Sequence, residues 1–156
     1  MSRMKAFLTH NWGKKEDGFA NHKRVSEVNK LLKDKNYDCW FDEVAMTGDV
    51  SKAMQQGIDN SDCVIIFLTK VYLEKINSVN LADNCFLEFK YTFLKKKPFI
   101  LVLMDGSVRL SDINDGYAGM HIGDMLYVDM SKSLNVDALV GEMKKKGIHP
   151  EAPKVH

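Results

Sequence analysis

The chain has 156 residues, a length that suits one domain built around one core. Hydrophobic residues make up 45% and charged residues 28%, the balance of a globular protein. The formal net charge of +1 leaves no large field to draw in nucleic acid or an anionic membrane, and no stretch has the roughly 18 apolar residues a membrane span requires.

Met4 to Thr9 is a short apolar run suited to a buried strand, followed by the loop His10-Asn11-Trp12-Gly13. The start, Met1-Ser2-Arg3-Met4-Lys5, leads into too short an apolar run for a signal peptide. Phe19 to Lys35 is expected to be a helix, because Val25, Val28 and Leu32 recur at helical spacing, with Asn36 as its stop. Tyr37 to Asp42 is the second expected strand, carrying Cys39, Trp40 and Phe41. A loop from Glu43 to Asp49 follows, then a short helix marked by Val50, Met54 and Ile58.

Asp62 to Thr69 is apolar without alternation, the pattern of a central parallel strand covered on both faces. A short polar connection is expected next, then a helix from Asp83 to Lys97, broken by Pro98. Phe99 to Met104 is the fourth strand. Residues 105 to 124 are expected to be irregular, with glycines at 106, 116, 119 and 123. Leu126 to Met130 is the fifth strand, and Leu134 to Lys146 the last helix, with Leu139, Val140 and Met143 inward. Residues 1–148 form the expected domain, and 149–156, with Pro150 and Pro153, a loose tail.

Strands alternating with helices imply right-handed crossovers and a parallel sheet between two helical layers. Five strands suit a flavodoxin-like α/β sandwich of order 2-1-3-4-5, whose ligands bind beyond the carboxyl ends of the strands where the order reverses. That crevice would be lined by Thr9 to Trp12 and Thr69 to Tyr72, with Asp42 and Glu43 nearby.

The common enzyme signatures GxGxxG, GxxxxGKS/T and GxSxG are absent. The five histidines show no metal-ligand spacing with one another or with cysteine, so no metal site is expected. Cys39, Cys63 and Cys85 form no CxxC pair and read as reduced thiols of a cytoplasmic protein. Lys95-Lys96-Lys97 and Lys144-Lys145-Lys146 end predicted helices, where cations complement the dipole. A receiver-type phosphorylation site fails, because the first strand ends in Thr9-His10 and the third in Thr69.

Glu88 is the candidate for chemistry. Its helical neighbours Asn84, Cys85, Tyr91 and Thr92 include no cation, and Phe86, Leu87 and Phe89 adjoin it in sequence. A partly desolvated carboxylate is a functional-site candidate, with an ordinary surface Glu as the alternative.

In register, these segments resemble a Toll/interleukin receptor (TIR) domain from about Lys5 to Val128. Phe7-Leu8-Thr9-His10 is similar to the family's first box. Trp40-Phe41-Asp42 with the loop reaching Gly48-Asp49 is similar to its second box and "BB" loop. Gly57 to Ser61, Val64 to Thr69 and Tyr72 resemble the I-x-x-S…Y segment, and Cys85-Phe86-Leu87-Glu88-Phe89 the C-x-x-E-[LF] of the following helix. No single box is specific; four in register are.

Many TIR domains cleave NAD+ with that Glu, so the resemblance assigns catalysis to Glu88, with NAD+ as substrate and no further cofactor. Substrate binding would fall to Thr9, His10, Asn11, Trp12, Asp42, Glu43 and Cys85. The family also self-associates in signalling and defence through the BB loop, here Glu43, Met46, Gly48 and Asp49. Three functions follow: an NAD+ nucleosidase giving ADP-ribose or a cyclic ADP-ribose, a non-catalytic scaffold, and another N-glycosidic enzyme such as a nucleoside deoxyribosyltransferase. One departure stands out. The family often has Trp just before the Cys, and here that residue is Asn84. An aromatic wall would then come from Trp12 or Trp40, the latter sitting in a strand and reading first as core. Thr9 to Trp12 read equally as ligand lining and as a plain strand end and turn.

Overall fold

The computed structural model describes residues 3–12, 15–41 and 50–152. Five parallel strands form one sheet: β1 (Met4–Thr9), β2 (Cys39–Trp40), β3 (Ser61–Leu68), β4 (Phe99–Leu103) and β5 (Tyr127–Asp129). Their order is β2-β1-β3-β4-β5, the flavodoxin-like order expected.

The sheet's two faces follow from the period of two along each strand. Ala6 and Leu8 of β1 join Cys63, Ile65 and Phe67 of β3 on one face. There they pack under α1 (Lys15–Asp34) and α7 (Val136–Lys145) through Val25, Val28, Leu32, Leu139, Val140 and Met143. Phe7 of β1 joins Val64, Ile66 and Leu68 on the other face. That face is covered by α2 (Val50–Asp59), α3 (Lys70–Asn77), α4 (Asn84–Leu94), α5 (Leu110–Ile113) and α6 (Gly116–Ile122). Both faces of β3 are therefore dry, which explains its unbroken apolar run. Each large side chain buried there contributes roughly 1.5–3 kcal/mol.

The register centres on β1, where Ala6 pairs with Cys39 of β2 on one side and Cys63 of β3 on the other. All three cysteines are free thiols, Cys63 and Cys85 buried and Cys39 half-buried. Burial pushes the Cys39 and Cys63 thiols up to about 12.

The structure departs from the sequence reading at several places. The connection after β3 contains α3, two turns whose Tyr72, Leu73 and Ile76 are buried. Thr69 ends no strand but caps this helix, its hydroxyl accepting from the Tyr72 amide at 2.9 Å. Residues 105 to 124 are not irregular, because they hold α5 and α6. Glycines obscured α6: Gly116 takes φ +58, and a Cβ at Gly119 would lie 2.2 Å from the Asn114 carbonyl. These glycines allow a tight turn and a close approach rather than a loop. The second strand is only Cys39–Trp40, and α1 begins at Lys15 rather than Phe19. In α4, Asp83 is the N-cap and accepts from the Phe86 amide. Beyond α7, Tyr37 donates to Ile148 O at 3.0 Å and the Glu151 amide to Asn36 O at 2.8 Å. Among the described residues no helix is long and apolar enough to cross a membrane.

Candidate functional site

The strand order reverses between β1 and β3, and their carboxyl ends deliver Thr9-His10-Asn11-Trp12 and Thr69-Lys70 to one place. Thr9 is fully buried, and its hydroxyl lies 3.0 Å from the Tyr72 hydroxyl. It joins β1 to α3 rather than lining open space.

His10 is 5% exposed. Its Nδ1 is 3.3 Å from Leu8 O, and a carbonyl only accepts, so that nitrogen carries the proton. Its Nε2, 2.8 Å from His22 Nδ1, is then the acceptor of the pair. Burial and the neighbouring His22 lower the pKa of His10 to about 4, so it is neutral at pH 7. Rings lie on both sides of the pair. Trp12 stacks on His22 at 3.5 Å between centroids, and Phe41 stacks on both histidines at 5.1–5.2 Å. Twelve residues separate His10 and His22, a spacing that carries no local signal, so the sequence did not reveal the pair.

Glu88 lies one turn into α4, half-buried. Its neighbour Cys85 places Sγ 3.5 Å from His10 O, which ties the start of α4 to the end of β1. Burial, reinforced by the negative charges of Glu88 and Asp83, pushes the Cys85 thiol well above its ordinary range. Burial does the same to the Tyr72 phenol, with Cys85 adding to it and the hydrogen bond from Thr9 opposing it. Glu88, Asp83 and Lys75 thus all act electrostatically on the buried Cys85. Asn84, in the place of the family's Trp, is exposed. Trp40 belongs to the core: it stacks on Phe7 at 6.3 Å and 10°, and both rings crowd Gly57.

The Asn11 carboxamide lies between Asn21 of α1 and Thr69 at the start of α3. It lines a cavity of about 670 Å³ with Asn21, Arg24, Thr69, Lys70 and Asp105. This is the crevice expected at the strand reversal, displaced to the α1 side; the described lining includes neither Glu88 nor Cys85. Arg24 spans the ends of β4 and β5, donating to Met104 O and Met130 O at 2.6 Å each. Asn21, Arg24 and Asp105 escaped the sequence reading because each stands singly in its own segment. Asp42, Glu43, Met46, Gly48 and Asp49 lie outside the described residues.

A parallel sheet of order 2-1-3-4-5, reversing beside a helix that carries C-x-x-E, defines a flavodoxin-like α/β domain with its candidate site at the strand reversal. The family model described as "TIR domain" matches residues 7–142, and the chain belongs to that family. No protein of curated function matches the sequence. Among solved structures, the TIR domains of the activated Roq1 resistosome, described as directly recognizing the pathogen effector XopQ, share the fold. The TM-score is 0.58 at 13% identity, over 92% of this chain and 98% of that one.

Proposed function

We propose that this TIR domain cleaves the nicotinamide–ribose bond of NAD+, with Glu88 as the catalytic carboxylate. One observation carries the reading: the half-buried Glu88 stands one turn from Cys85, whose thiol meets the His10 carbonyl at the end of β1, and its charge reaches the buried Cys85 and Tyr72. A half-buried carboxylate interacts with a cation more strongly than a fully solvated one, because less water screens it.

The chemistry suits a single carboxylate. Nicotinamide in NAD+ is already cationic, so its departure needs no proton: the C–N bond breaks and its electron pair stays on the ring nitrogen. The ribosyl centre becomes oxocarbenium-like, and Glu88 stabilises that charge while holding the ribose hydroxyls. Water then adds at the anomeric carbon and releases a proton, giving ADP-ribose, nicotinamide and H+. Attack by the substrate's own adenine would instead give a cyclic ADP-ribose. Ordinary glycosidases need a second carboxyl to protonate a poor leaving group; this substrate does not. Trp12 supplies the nearby aromatic surface that Asn84 does not.

The test is nicotinamide release from NAD+ by concentrated protein, with Glu88→Ala alongside. Release that the substitution abolishes supports the reading. Equal release from both removes Glu88 from the mechanism.

Self-association is the second reading. The Roq1 TIR domains were solved in an assembly, a resistosome, and that favours pairing of this domain with copies of itself. The loop from Glu43 to Asp49 would form the contact. A protein that assembles at high concentration but releases no nicotinamide would be a scaffold.

A further inference from the structure

β5 closes one edge of the sheet, and among the described residues β4 is its only strand neighbour. The Met130 amide donates to Leu103 O at 2.8 Å, so Met130 turns its backbone groups toward β4. Backbone direction alternates along a strand. Val128 therefore also faces β4, and the N–H and C=O groups of Tyr127 and Asp129 point away from the sheet. Among the described residues no strand meets them. An edge in this state is a template for another strand, and most edges are blunted by charge, proline or a covering element. Here the chain entering the edge is apolar. Met125 and Tyr127 are exposed, and Leu126 is 95% exposed. Beside them lies a groove of about 520 Å³, lined by Phe99, Ile100, Leu101 and Val128 and by the end of α7.

The strand that fits this edge is its own copy, antiparallel about a two-fold axis. With Tyr127 opposite the partner's Tyr127, each Tyr127 amide donates to the carbonyl of the partner's Tyr127, as in a hydrogen-bonded antiparallel pair. Asp129 then stands opposite the partner's Met125 and donates its amide to that carbonyl. The Met125 amide is already given to Ile122 O at 3.3 Å, so only its carbonyl is needed. Leu126 meets the partner's Val128 and covers the edge of the partner's groove. Charge selects this register. An axis at Val128 would set the two Asp129 carboxylates on the diagonal, roughly 7–8 Å apart. An axis at Tyr127 separates them by the length of the strand and buries the exposed Met125, Leu126 and Tyr127 together. Asp129 needs no cation from the partner, because its carboxylate already accepts from the amide and hydroxyl of Ser131.

We propose that β5 pairs with the β5 of a second copy of this chain and joins the two sheets into one. A three-residue strand buries much less than the roughly 1,200 Å² of a standard interface, so the dimer exchanges readily. The contact does not use the loop from Glu43 to Asp49 and does not depend on NAD+ cleavage.

The test is sedimentation velocity of the full chain over a concentration series, with amide exchange followed on the ¹⁵N-labelled protein. The chain dimerises with a Kd between about 0.01 and 1 mM, the weak end of protein association. The Tyr127 and Asp129 amides exchange at least twofold more slowly at the highest concentration than in the monomer. Tyr127→Pro removes an outward N–H and no bond to β4, so the fold stays and the Kd rises at least tenfold. Leu126→Lys has the same effect from a side chain that touches little of its own domain, with the thermal midpoint kept. Met46→Lys, in the loop, leaves the β5 amides as protected as in the parent. A chain that stays monomeric at about 2 mM, β5 amides that exchange at one rate throughout, or a parent-like Kd in both β5 variants would overturn the inference. Association lost in Met46→Lys and kept in both β5 variants would also overturn it, while leaving self-association through the loop standing.

Discussion

Around the end of β1, burial drives groups toward neutrality: His10, against α1, is held deprotonated, and the Cys85 and Tyr72 protons are held on. Around the cavity that Asn11 lines, the described residues include charged groups engaged by hydrogen bonds. Burial pushes the Asp105 carboxyl up, but hydrogen bonds from Ser107 and Lys70 outweigh it and hold the group below its ordinary value. Arg24 donates to two carbonyls. The two regions are reached from the same strand end and differ in what encloses them. Rings and thiols enclose the first; hydroxyls, amides and carbonyls enclose the second. A charge acts over a longer range in the first setting than in the second, because fewer polar groups and less water screen it.

The comparison breaks most sharply at Glu88. Glu88→Gln keeps the shape and removes the charge, so nicotinamide release should fall at least about 100-fold while the thermal midpoint stays near the parent's. A variant retaining more than a tenth of the activity would make the Glu88 charge irrelevant to the chemistry.

Arg24→Met is the corresponding change on the other side. It removes two charge-assisted bonds that hold the β4 and β5 ends together. Chemical denaturation should show a loss of about 2–3 kcal/mol. A loss below about 0.5 kcal/mol would show that the two carbonyls find water equally well.

Acid titration separates the regions by pH. His10 has a folded pKa of about 4 against 6.5. Its neutral form is the one the fold favours, so its contribution is complete above pH 6.5 and lost as pH falls through 4. The loss is on the order of 1–3 kcal/mol. Asp105 also loses its contribution on acidification, but only below its ordinary value of 3.8. Stability measured from pH 7 to 3 should thus decline in two stages. His10→Gln should flatten the earlier stage, and Asp105→Asn the later one. An early stage that survives His10→Gln would point to another group.

The smallest effect is expected at Lys75, which pairs with Asp83 at 2.9 Å at the start of α4. The lysine is 36% exposed, so Lys75→Met should cost under about 1 kcal/mol, and 0.5 M salt should reduce the difference further. A larger, salt-independent loss would mean that the pair fixes the position of α4, and with it Glu88.

The candidate site was legible where one segment carries its own signal. Cys85 and Glu88 share a helix face, and Thr9 to Trp12 follow an obvious strand. Short elements were less legible. Tyr72, Leu73 and Ile76 have helical spacing, but two turns offer too few repeats to stand out beside the polar residues around them. The α6 helix was hidden by glycines that serve packing rather than flexibility.

The sequence by itself determined the order of the five strands, the helices α1, α2, α4 and α7, the doubly buried β3 and the family, because apolar periodicity and local boxes are properties of contiguous residues. Only the tertiary structure decided that His22 meets His10, that Asn21 locks Asn11, and that Arg24 joins two strand ends. These contacts span 12, 10, and 80 and 106 residues, and no local pattern encodes them. It also decided that the residues at the strand reversal divide into two environments. The chain leaving β1 sets the His10 ring against His22 of α1 and the His10 carbonyl against Cys85 of α4, while the Asn11 carboxamide lies between Asn21 of α1 and Thr69 at the start of α3.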